Sequence, residues 1–130
     1  MPEISASSHD RFEKATFTHV VTLDPDGRPH ATPVWIDYDA GADRLLVNTE
    51  RCHRKTRDID RDPTVAVSMT DPGDRYRCLS VTGTVEEITT EGAREHIDRL
   101  SQRYSDESYP SEIKTERVLP RIRSNRVLSS

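Results

Sequence analysis

The chain has 130 residues, of which 32% are hydrophobic and 32% are charged, and its formal net charge at pH 7 is −4. This length predicts one domain, residues 1–130, with a small core that burial between two copies would help to stabilise. The acidic balance argues against a nucleic-acid-binding protein, because such proteins carry a strongly basic surface.

The amino terminus reads MPEISASSHDRFEKATFTHVV and lacks the apolar core of a signal peptide. No later stretch is long and apolar enough to span a membrane, so no membrane partner is predicted. Cys52 and Cys78 form no CxxC pair, and without a signal peptide they are expected to be reduced thiols. Together these features predict a cytoplasmic protein.

The first half of the chain predicts a short helix and then a three-stranded antiparallel meander. Residues 8–15 fit a helix capped by Ser8. Residues 16–49 contain three runs rich in β-branched and aromatic residues, and two turns, DPDGRP and AGAD, separate them. The predicted strands are ATFTHVVTL, HATPVWIDYD and RLLVNT.

The second half predicts a short exposed helix, two strands, one amphipathic helix and a closing strand. Ile59 is the only strongly apolar residue between Val47 and Val65, so a helix there is short and mostly exposed. TVAVSMT and RYRCLSVTGTVEEI alternate as strands, and Gly83 indicates a bulge or a close approach of two backbones. Helical spacing then marks one apolar stripe: Ala93, Ile97, Leu100 and Tyr104.

The ends of these last elements are less regular. The amphipathic helix is expected to be capped near Thr89 or Thr90, and SDESYPSE to form a loop after it. RVLPRIRSNRVLSS closes the chain as a strand that Pro120 interrupts or confines to a sheet edge. Because the strands do not alternate with helices, the predicted fold is mainly β, a six-stranded antiparallel barrel with a few short helices.

Most signature motifs of enzymes are absent from the sequence. It contains no GxGxxG or GxxxxGK[ST] phosphate loop, no GxSxG nucleophile elbow and no HExxH zinc motif. Cys52 and His53 are adjacent, and neighbouring residues rarely bind one metal ion together, so no metal site is predicted.

One basic segment, NTERCHRKTRDIDRDP at residues 48–63, stands out. Its cationic residues fall within about two helical turns, where a helix amino terminus and the side chains of Asn48 and Thr49 add further donors. Such a segment suits a phosphate. The aspartates that follow equally suit a solvated surface helix, with each ion pair contributing roughly 0–1 kcal/mol. The spacing leaves both interpretations open for Arg51, Arg54, Lys55 and Arg57.

From about Thr18 to Val127, four segments in order resemble the flavin/deazaflavin split-barrel family, pyridoxamine 5'-phosphate oxidase-like proteins, and within it the deazaflavin-dependent branch. LDPDGRPHATPVWIDYD resembles the first hairpin of the family, and LLVNTERCHRKTRDIDRDPTVAVSM its strand, basic turn and short helix. DPGDRYRCLSVTGTVEEI and RVLPRIRSNRV resemble the long strand and the closing strand.

This resemblance implies a homodimeric oxidoreductase that holds coenzyme F-420, a deazaflavin, or FMN between two barrels and transfers a hydride to or from a small organic substrate. The pair Arg54–Lys55 matches the residues that bind the cofactor phosphate, and Asn48 and Thr49 match the strand end beside the ribityl chain. Arg51 suits the acidic tail of F-420. The ring system would meet Thr32, Pro33, Val34 and Trp35.

Two other interpretations remain open at this point. The same barrel serves as a flavin or haem carrier without turnover, and a haem would require an axial ligand from His30, His53 or His96. Alternatively, the chain is a structural dimer whose basic turn is only a solvated surface. The carboxyl-terminal Arg121 and Arg123 are expected to lie behind the cofactor site or to reach the partner subunit.

Overall fold

The computed structural model describes residues 4, 6–51, 53–106 and 116–129. The predictions for Cys52 and for the part of SDESYPSE that follows Asp106 lie outside the described residues.

The described part of the chain forms one 3-10 helix, two α-helices and eight strands. Neither α-helix is long and apolar enough to cross a membrane. In chain order the elements are the 3-10 helix Ala6–Glu13, β1 Phe17–Leu23, β2 Pro29–Val34, β3 Ile36–Asp39, β4 Arg44–Val47, β5 Thr49–Glu50, α1 Arg54–Arg61, β6 Thr64–Asp71, β7 Asp74–Thr89, α2 Ala93–Ser105 and β8 Arg117–Ser129.

The strands form one curled antiparallel sheet in the order β2-β1-β6-β7-β8-β4-β3, and β5 pairs with β8 beside this path. The fold is a split β-barrel, which confirms the predicted fold class. Its interior is apolar because inward side chains alternate with outward ones along each strand. Val20 and Val67 face each other across β1 and β6, and the core centres on Ile36, Leu45, Met69, Leu79 and Ile122.

The two hairpins of the predicted three-stranded meander are confirmed, β1 with β2 and β3 with β4, but the middle strand is not continuous. The expected second strand splits at Trp35 into β2 and β3, which pair with β1 and β4 at opposite ends of the sheet. Alternation continues on both sides of Trp35, so the local pattern carries no sign of the break. Because only Trp35 separates β2 from β3, this residue joins the two ends of the strand order and brings them together as the sheet curls.

Two smaller predictions also differ from the structure. Pro120 neither interrupts β8 nor places it at an edge of the sheet. β8 pairs with β7 on one side along most of its length, and on the other side it pairs first with β5 and then, after Pro120, with β4. The cap of α2 is Gly92, at φ 72°, without a side-chain bond, whereas the Thr89 hydroxyl accepts a bond from the Glu91 N–H. The apolar stripe of α2 is confirmed, since Ala93, Ile97 and Leu100 are buried.

The predicted role of Gly83 is confirmed at a β-bulge between β7 and β8. A Cβ at Gly83 would lie 2.6 Å from the carbonyl oxygen of Arg123 and 2.7 Å from Cγ2 of Ile122. Gly83→Ala is therefore expected to lower the free energy of unfolding by about 1–3 kcal/mol through overpacking. Urea unfolding measures the difference.

Gly41→Ala is the matched control for this substitution. A Cβ at Gly41 would meet only Oδ1 of Asp39, at 3.6 Å, which is an ordinary contact. We expect its free energy of unfolding to stay within about 0.5 kcal/mol of the wild-type value. Equal losses in the two variants would refute the close approach at Gly83.

Candidate functional site

An open cleft of about 770 Å³ lies where β1 begins, β2 ends and α2 crosses the barrel. The basic turn before α1 and the start of β8 close its far end. The residues that line it are Ala15, Thr16, Phe17, Thr18, His19, Pro33, Val34, Trp35, Asn48, His53, Lys55, Ile97, Tyr104, Ser105 and Arg117. One part of this lining is aromatic and apolar, and the other is cationic.

The aromatic part is built around Trp35, whose ring stacks on Tyr104 with centroids 5.3 Å apart and planes 17° apart. The Tyr104 hydroxyl donates to the Thr16 carbonyl at 3.1 Å and accepts from the Ile36 N–H at 3.2 Å. Burial raises the pKa of this phenol, so it stays protonated at neutral pH. The pair is therefore held from β1 and β3 and offers a rigid apolar wall to a flat ring.

The cationic part brings together Lys55, Arg117 and His53, with Glu50 as a neighbouring acid. Burial lowers the pKa of the Lys55 ammonium, and the charge of Arg117 lowers it further, against the opposing effect of Glu50. Burial and the charge of Lys55 likewise lower the pKa of His53. Like charges held this close repel one another, so an anion bound between Lys55 and Arg117 would relieve the repulsion.

Hydrogen bonds from buried groups hold this cationic end in place. Arg117 is 7% exposed, and its Nε–H donates to Oδ1 of Asn48 at 2.8 Å. The ring of His53 lies 3.0 Å from Oγ1 of Thr49 and 3.2 Å from a carboxylate oxygen of Glu50. The cationic groups are thus ordered before any ligand binds, which reduces the entropic cost of binding.

Five of the residues predicted from the sequence lie together in the cleft. Pro33, Val34 and Trp35 form part of its aromatic and apolar wall, while Asn48 and Lys55 belong to its cationic end. The basic segment and the first hairpin therefore meet at one site, although residues 36–47 separate them in the chain.

The other four predicted residues lie outside the cleft lining. The Thr32 side chain is half-buried on β2, opposite Val20. Thr49 is buried behind the cleft, where it contacts His53. The two remaining arginines are exposed and paired with acids: Arg51 Nη2 lies 3.2 Å from Glu116, and Arg54 Nη2 lies 3.7 Å from Asp24.

Sequence reasoning missed Arg117 and Tyr104 as cleft residues. Tyr104 carried a helical-spacing signal that was interpreted as core packing, and Arg117 carried no signal of its own. The predicted carboxyl-terminal arginines instead form ion pairs at the far side of β8, Arg121 with Asp39 at 3.1 Å and Arg123 with Glu86 at 3.5 Å. Within residues 4, 6–51, 53–106 and 116–129, no three His, Cys, Asp or Glu side chains converge as metal ligands.

Beside the cleft, the outward side chains of β1, β6 and β7 form a patch without charge that we call the uncharged face, and Arg126 and Arg123 on β8 border it opposite Thr82 and Thr84. Register places these side chains on it: Phe17, His19, Val21 and Leu23 on β1, Thr64, Ala66, Ser68 and Thr70 on β6, and Cys78, Ser80, Thr82 and Thr84 on β7. Phe17 is 65% exposed, and Leu128, opposite Ser80, is 55% exposed. A face without Asp, Glu, Lys or Arg is unusual where 32% of the residues are charged.

The sequence profile of the family described as pyridoxamine 5'-phosphate oxidase matches residues 6–129. No curated protein sequence matches the chain.

Solved structures similar to this fold include three of particular interest. An F420 reductase is 28% identical, with a TM-score of 0.82, and the match covers 96% of this chain and 98% of the other. The conserved hypothetical protein Rv2991 from Mycobacterium tuberculosis is 26% identical, with a TM-score of 0.73 and coverage of 99% and 85%. A putative pyridoxamine 5'-phosphate oxidase from Listeria innocua, 18% identical with a TM-score of 0.62, covers 87% and 86% and shows the fold alone.

Proposed function

The chain belongs to the pyridoxamine 5'-phosphate oxidase family, and on that basis we propose that it is an oxidoreductase whose cleft binds a phosphorylated flavin or deazaflavin. The observation that carries the proposal is the pairing of Lys55 and Arg117 at one end of a cleft whose other end holds the stacked rings of Trp35 and Tyr104. A flat ring system that carries a phosphate at the end of a short chain fits both halves of this lining.

The residues of the chain bind and orient in this proposal. Lys55 and Arg117 bind the phosphate through charge-assisted hydrogen bonds, and Asn48 orients Arg117 by accepting from its Nε–H. Pro33, Val34 and Trp35 support the ring from β2 and exclude water from one side of it. The cofactor supplies hydride transfer with a small organic substrate. That Thr32, Thr49, Arg51 and Arg54 also contact the cofactor remains a prediction from the sequence.

Coenzyme F-420 is the first choice of cofactor, with FMN as the alternative. The similarity to an F420 reductase over nearly the whole of both chains supports this order. Arg51 is exposed at the basic turn, where it could meet an acidic tail by exchanging its ion pair with Glu116 for one with the tail. The phosphate and flat ring are common to both cofactors, so the cleft lining itself suits either.

We further propose that two copies associate through the uncharged face. Phe17, His19 and Pro33 belong to this face by register and also line the cleft, so the cleft opens where the second subunit would sit. Burial of Phe17 and Leu128 would stabilise such a dimer, and the absence of charged side chains on the outward face of β1, β6 and β7 limits the desolvation penalty.

A haem with His96 as its axial ligand is less compatible with the site. His96 is 2% exposed, and its two ring nitrogens lie 3.1 Å from the Asn48 amide nitrogen and 2.9 Å from Asp37. Neither nitrogen is available for an axial bond unless this arrangement breaks.

The proposal is tested by titrating the purified protein with F-420 and with FMN. Trp35 is the only tryptophan and lines the cleft, so its fluorescence should be quenched as either cofactor binds. We expect binding of at least one of them in the micromolar range or tighter, about −8 kcal/mol. The reduced complex is then mixed with a panel of small organic acceptors.

The two stages separate the remaining alternatives. Reoxidation of the bound cofactor by an acceptor supports an oxidoreductase. Tight binding without reoxidation or reduction by any acceptor would instead indicate a carrier. Binding of neither cofactor would leave the family fold without the proposed activity.

A further inference from the structure

We infer that His96 and Asp37 are positioning residues that orient the Arg117 guanidinium for anion binding, acting through the side-chain amide of Asn48. The inference rests on the proposed function for the identity of the anion. These residues come from four elements or their ends: Asp37 from β3, Asn48 from the residue after β4, His96 from α2 and Arg117 from β8. Asn48 and Arg117 line the cleft, whereas His96 and Asp37 lie behind it.

The four side chains form a continuous hydrogen-bonded chain. Arg117 Nε lies 2.8 Å from Oδ1 of Asn48, and Nδ2 of Asn48 lies 3.1 Å from Nδ1 of His96. Nε2 of His96 then lies 2.9 Å from Oδ2 of Asp37. His96 is 2% exposed, and Asn48 and Arg117 are 9% and 7% exposed, so water does not compete freely for these bonds.

Two groups that can only accept hydrogen bonds, the Ala93 carbonyl and the Asp37 carboxylate, determine which atoms donate in this series of hydrogen bonds. Nδ2 of Asn48 also lies 2.7 Å from the Ala93 carbonyl oxygen, which accepts but cannot donate. The amide nitrogen must therefore face Ala93 and His96, and Nδ1 of His96 must accept. The His96 proton then resides on Nε2 and points to the Asp37 carboxylate.

Asp37 is held as the ionised acceptor that this arrangement requires. Burial alone would raise the pKa of its carboxyl, but the hydrogen bond from His96 and the charge of Arg103 hold that pKa below its ordinary value. Nη1 of Arg103 lies 3.2 Å from the other carboxylate oxygen. Asp37, the last residue of the hydrogen-bonded series, is thus held by two side chains of α2, His96 and Arg103.

The orientation of the Asn48 amide in turn affects the orientation of Arg117. With its nitrogen committed to Ala93 and His96, the Asn48 amide can present only its oxygen to Arg117, and that bond helps to orient the guanidinium. Without His96 the amide loses one of the two acceptors that set its orientation. The guanidinium would then lose its alignment toward the ligand while the charge remains in the cleft.

The test measures how much a phosphate adds to affinity. The probes are two pairs: FMN with riboflavin, which differ only in the phosphate, and F-420 with its phosphate-free deazaflavin alcohol, which differ in the phosphate and the acidic tail. In His96→Leu we expect the affinity for the phosphorylated member to fall roughly tenfold and that for the phosphate-free member to change less than about twofold. His96→Asn places an acceptor oxygen near the position of Nδ1 but is too short to reach Asp37, so it should recover part of the loss.

Leu100→Ala provides the control for a merely structural effect. Leu100 is fully buried on the same helix and takes no part in the hydrogen-bonded chain, so its truncation should lower stability without changing the affinity ratio within either pair. The inference is overturned if His96→Leu weakens both members equally, if Leu100→Ala reproduces its effect, or if His96→Asn recovers no part of the loss.

A measurement without cofactor separates this inference from the proposed function. In the cofactor-free protein, nitrogen chemical shifts should identify Nε2 as the protonated nitrogen of His96. The Arg117 Nε–H resonance should exchange slowly with water in the wild type and at least tenfold faster in His96→Leu. Failure of the wild type to bind any cofactor would refute the proposed function alone, whereas equal Arg117 exchange in both proteins would refute the positioning role.

Discussion

Replacing both Lys55 and Arg117 by methionine should weaken F-420 or FMN binding by at least a hundredfold and leave riboflavin binding nearly unchanged. A hydrogen bond to a charged group contributes about 1.5–3 kcal/mol, and each 1.4 kcal/mol corresponds to about a tenfold change in affinity. Methionine keeps much of the apolar stem that lines the cleft and removes only the charge. Trp35 fluorescence titrations with the phosphorylated and phosphate-free cofactors measure the effect.

The control for this variant is Arg57→Met combined with Arg61→Met. It removes the same amount of charge from exposed positions in the same basic segment. We expect the affinity for FMN to fall less than about threefold, because salt in the solvent screens the charges of exposed side chains. An equal loss in the control would mean that general charge attraction, and not contact with Lys55 and Arg117, drives phosphate binding.

Arg54→Met distinguishes the two candidate partners of Lys55. The resemblance of the sequence to the family pairs Lys55 with Arg54, whereas in the cleft the neighbouring cation is Arg117. If Arg117→Met alone lowers the affinity for FMN at least tenfold more than Arg54→Met does, Arg117 is the main partner of Lys55 in binding the phosphate. The reverse order would restore the sequence-based pair, with Arg54 released from Asp24 when the ligand binds.

Ser80→Glu is expected to abolish the proposed dimer. Ser80 lies in the middle of the uncharged face, opposite Ser68 on β6 and Leu128 on β8. In the dimer a carboxylate there would be removed from water in each subunit, and this desolvation costs free energy even where Arg126, opposite Thr82, is close enough to pair with the new charge. Sedimentation equilibrium of the wild type and the variant measures the change in dimer dissociation constant.

Thr90→Glu adds the same charge at an exposed position before α2, away from the uncharged face, and should leave the dimer intact. Because Phe17, His19 and Pro33 line the cleft, the monomeric Ser80→Glu protein should also bind cofactor more weakly. A wild type that sediments as a monomer at millimolar concentration would exclude the dimer. An unchanged dimer in Ser80→Glu would place the interface elsewhere.

Local patterns predicted most of the fold because they record which side chains must be buried. Period-two alternation marked β6 and β7, and helical spacing marked the buried stripe of α2. The same patterns failed at Trp35 and Pro120, where strand pairing changes while alternation continues. A one-dimensional pattern records burial, but it carries no information about which strand lies alongside.

In the candidate site, too, the residues that were predicted are close together in the sequence, and those that were missed are far apart. Residues that are close in the chain, such as Pro33 to Trp35, were predicted together. Arg117 was missed because its contact with Asn48 spans 69 positions, and no spacing rule connects residues so far apart. His96 was considered only as a haem ligand, since its place behind Asn48 depends on how α2 crosses the barrel.

The sequence by itself determined the mainly β fold, the family resemblance and a basic turn suited to phosphate, because each depends on residue types at short spacing. Only the tertiary structure decided which cations share the cleft, which face of the sheet is left without charge and how Asn48 is oriented. Those features depend on the curl of the sheet, which brings β8 and α2 beside the basic turn and so sets distances that the order of residues does not contain.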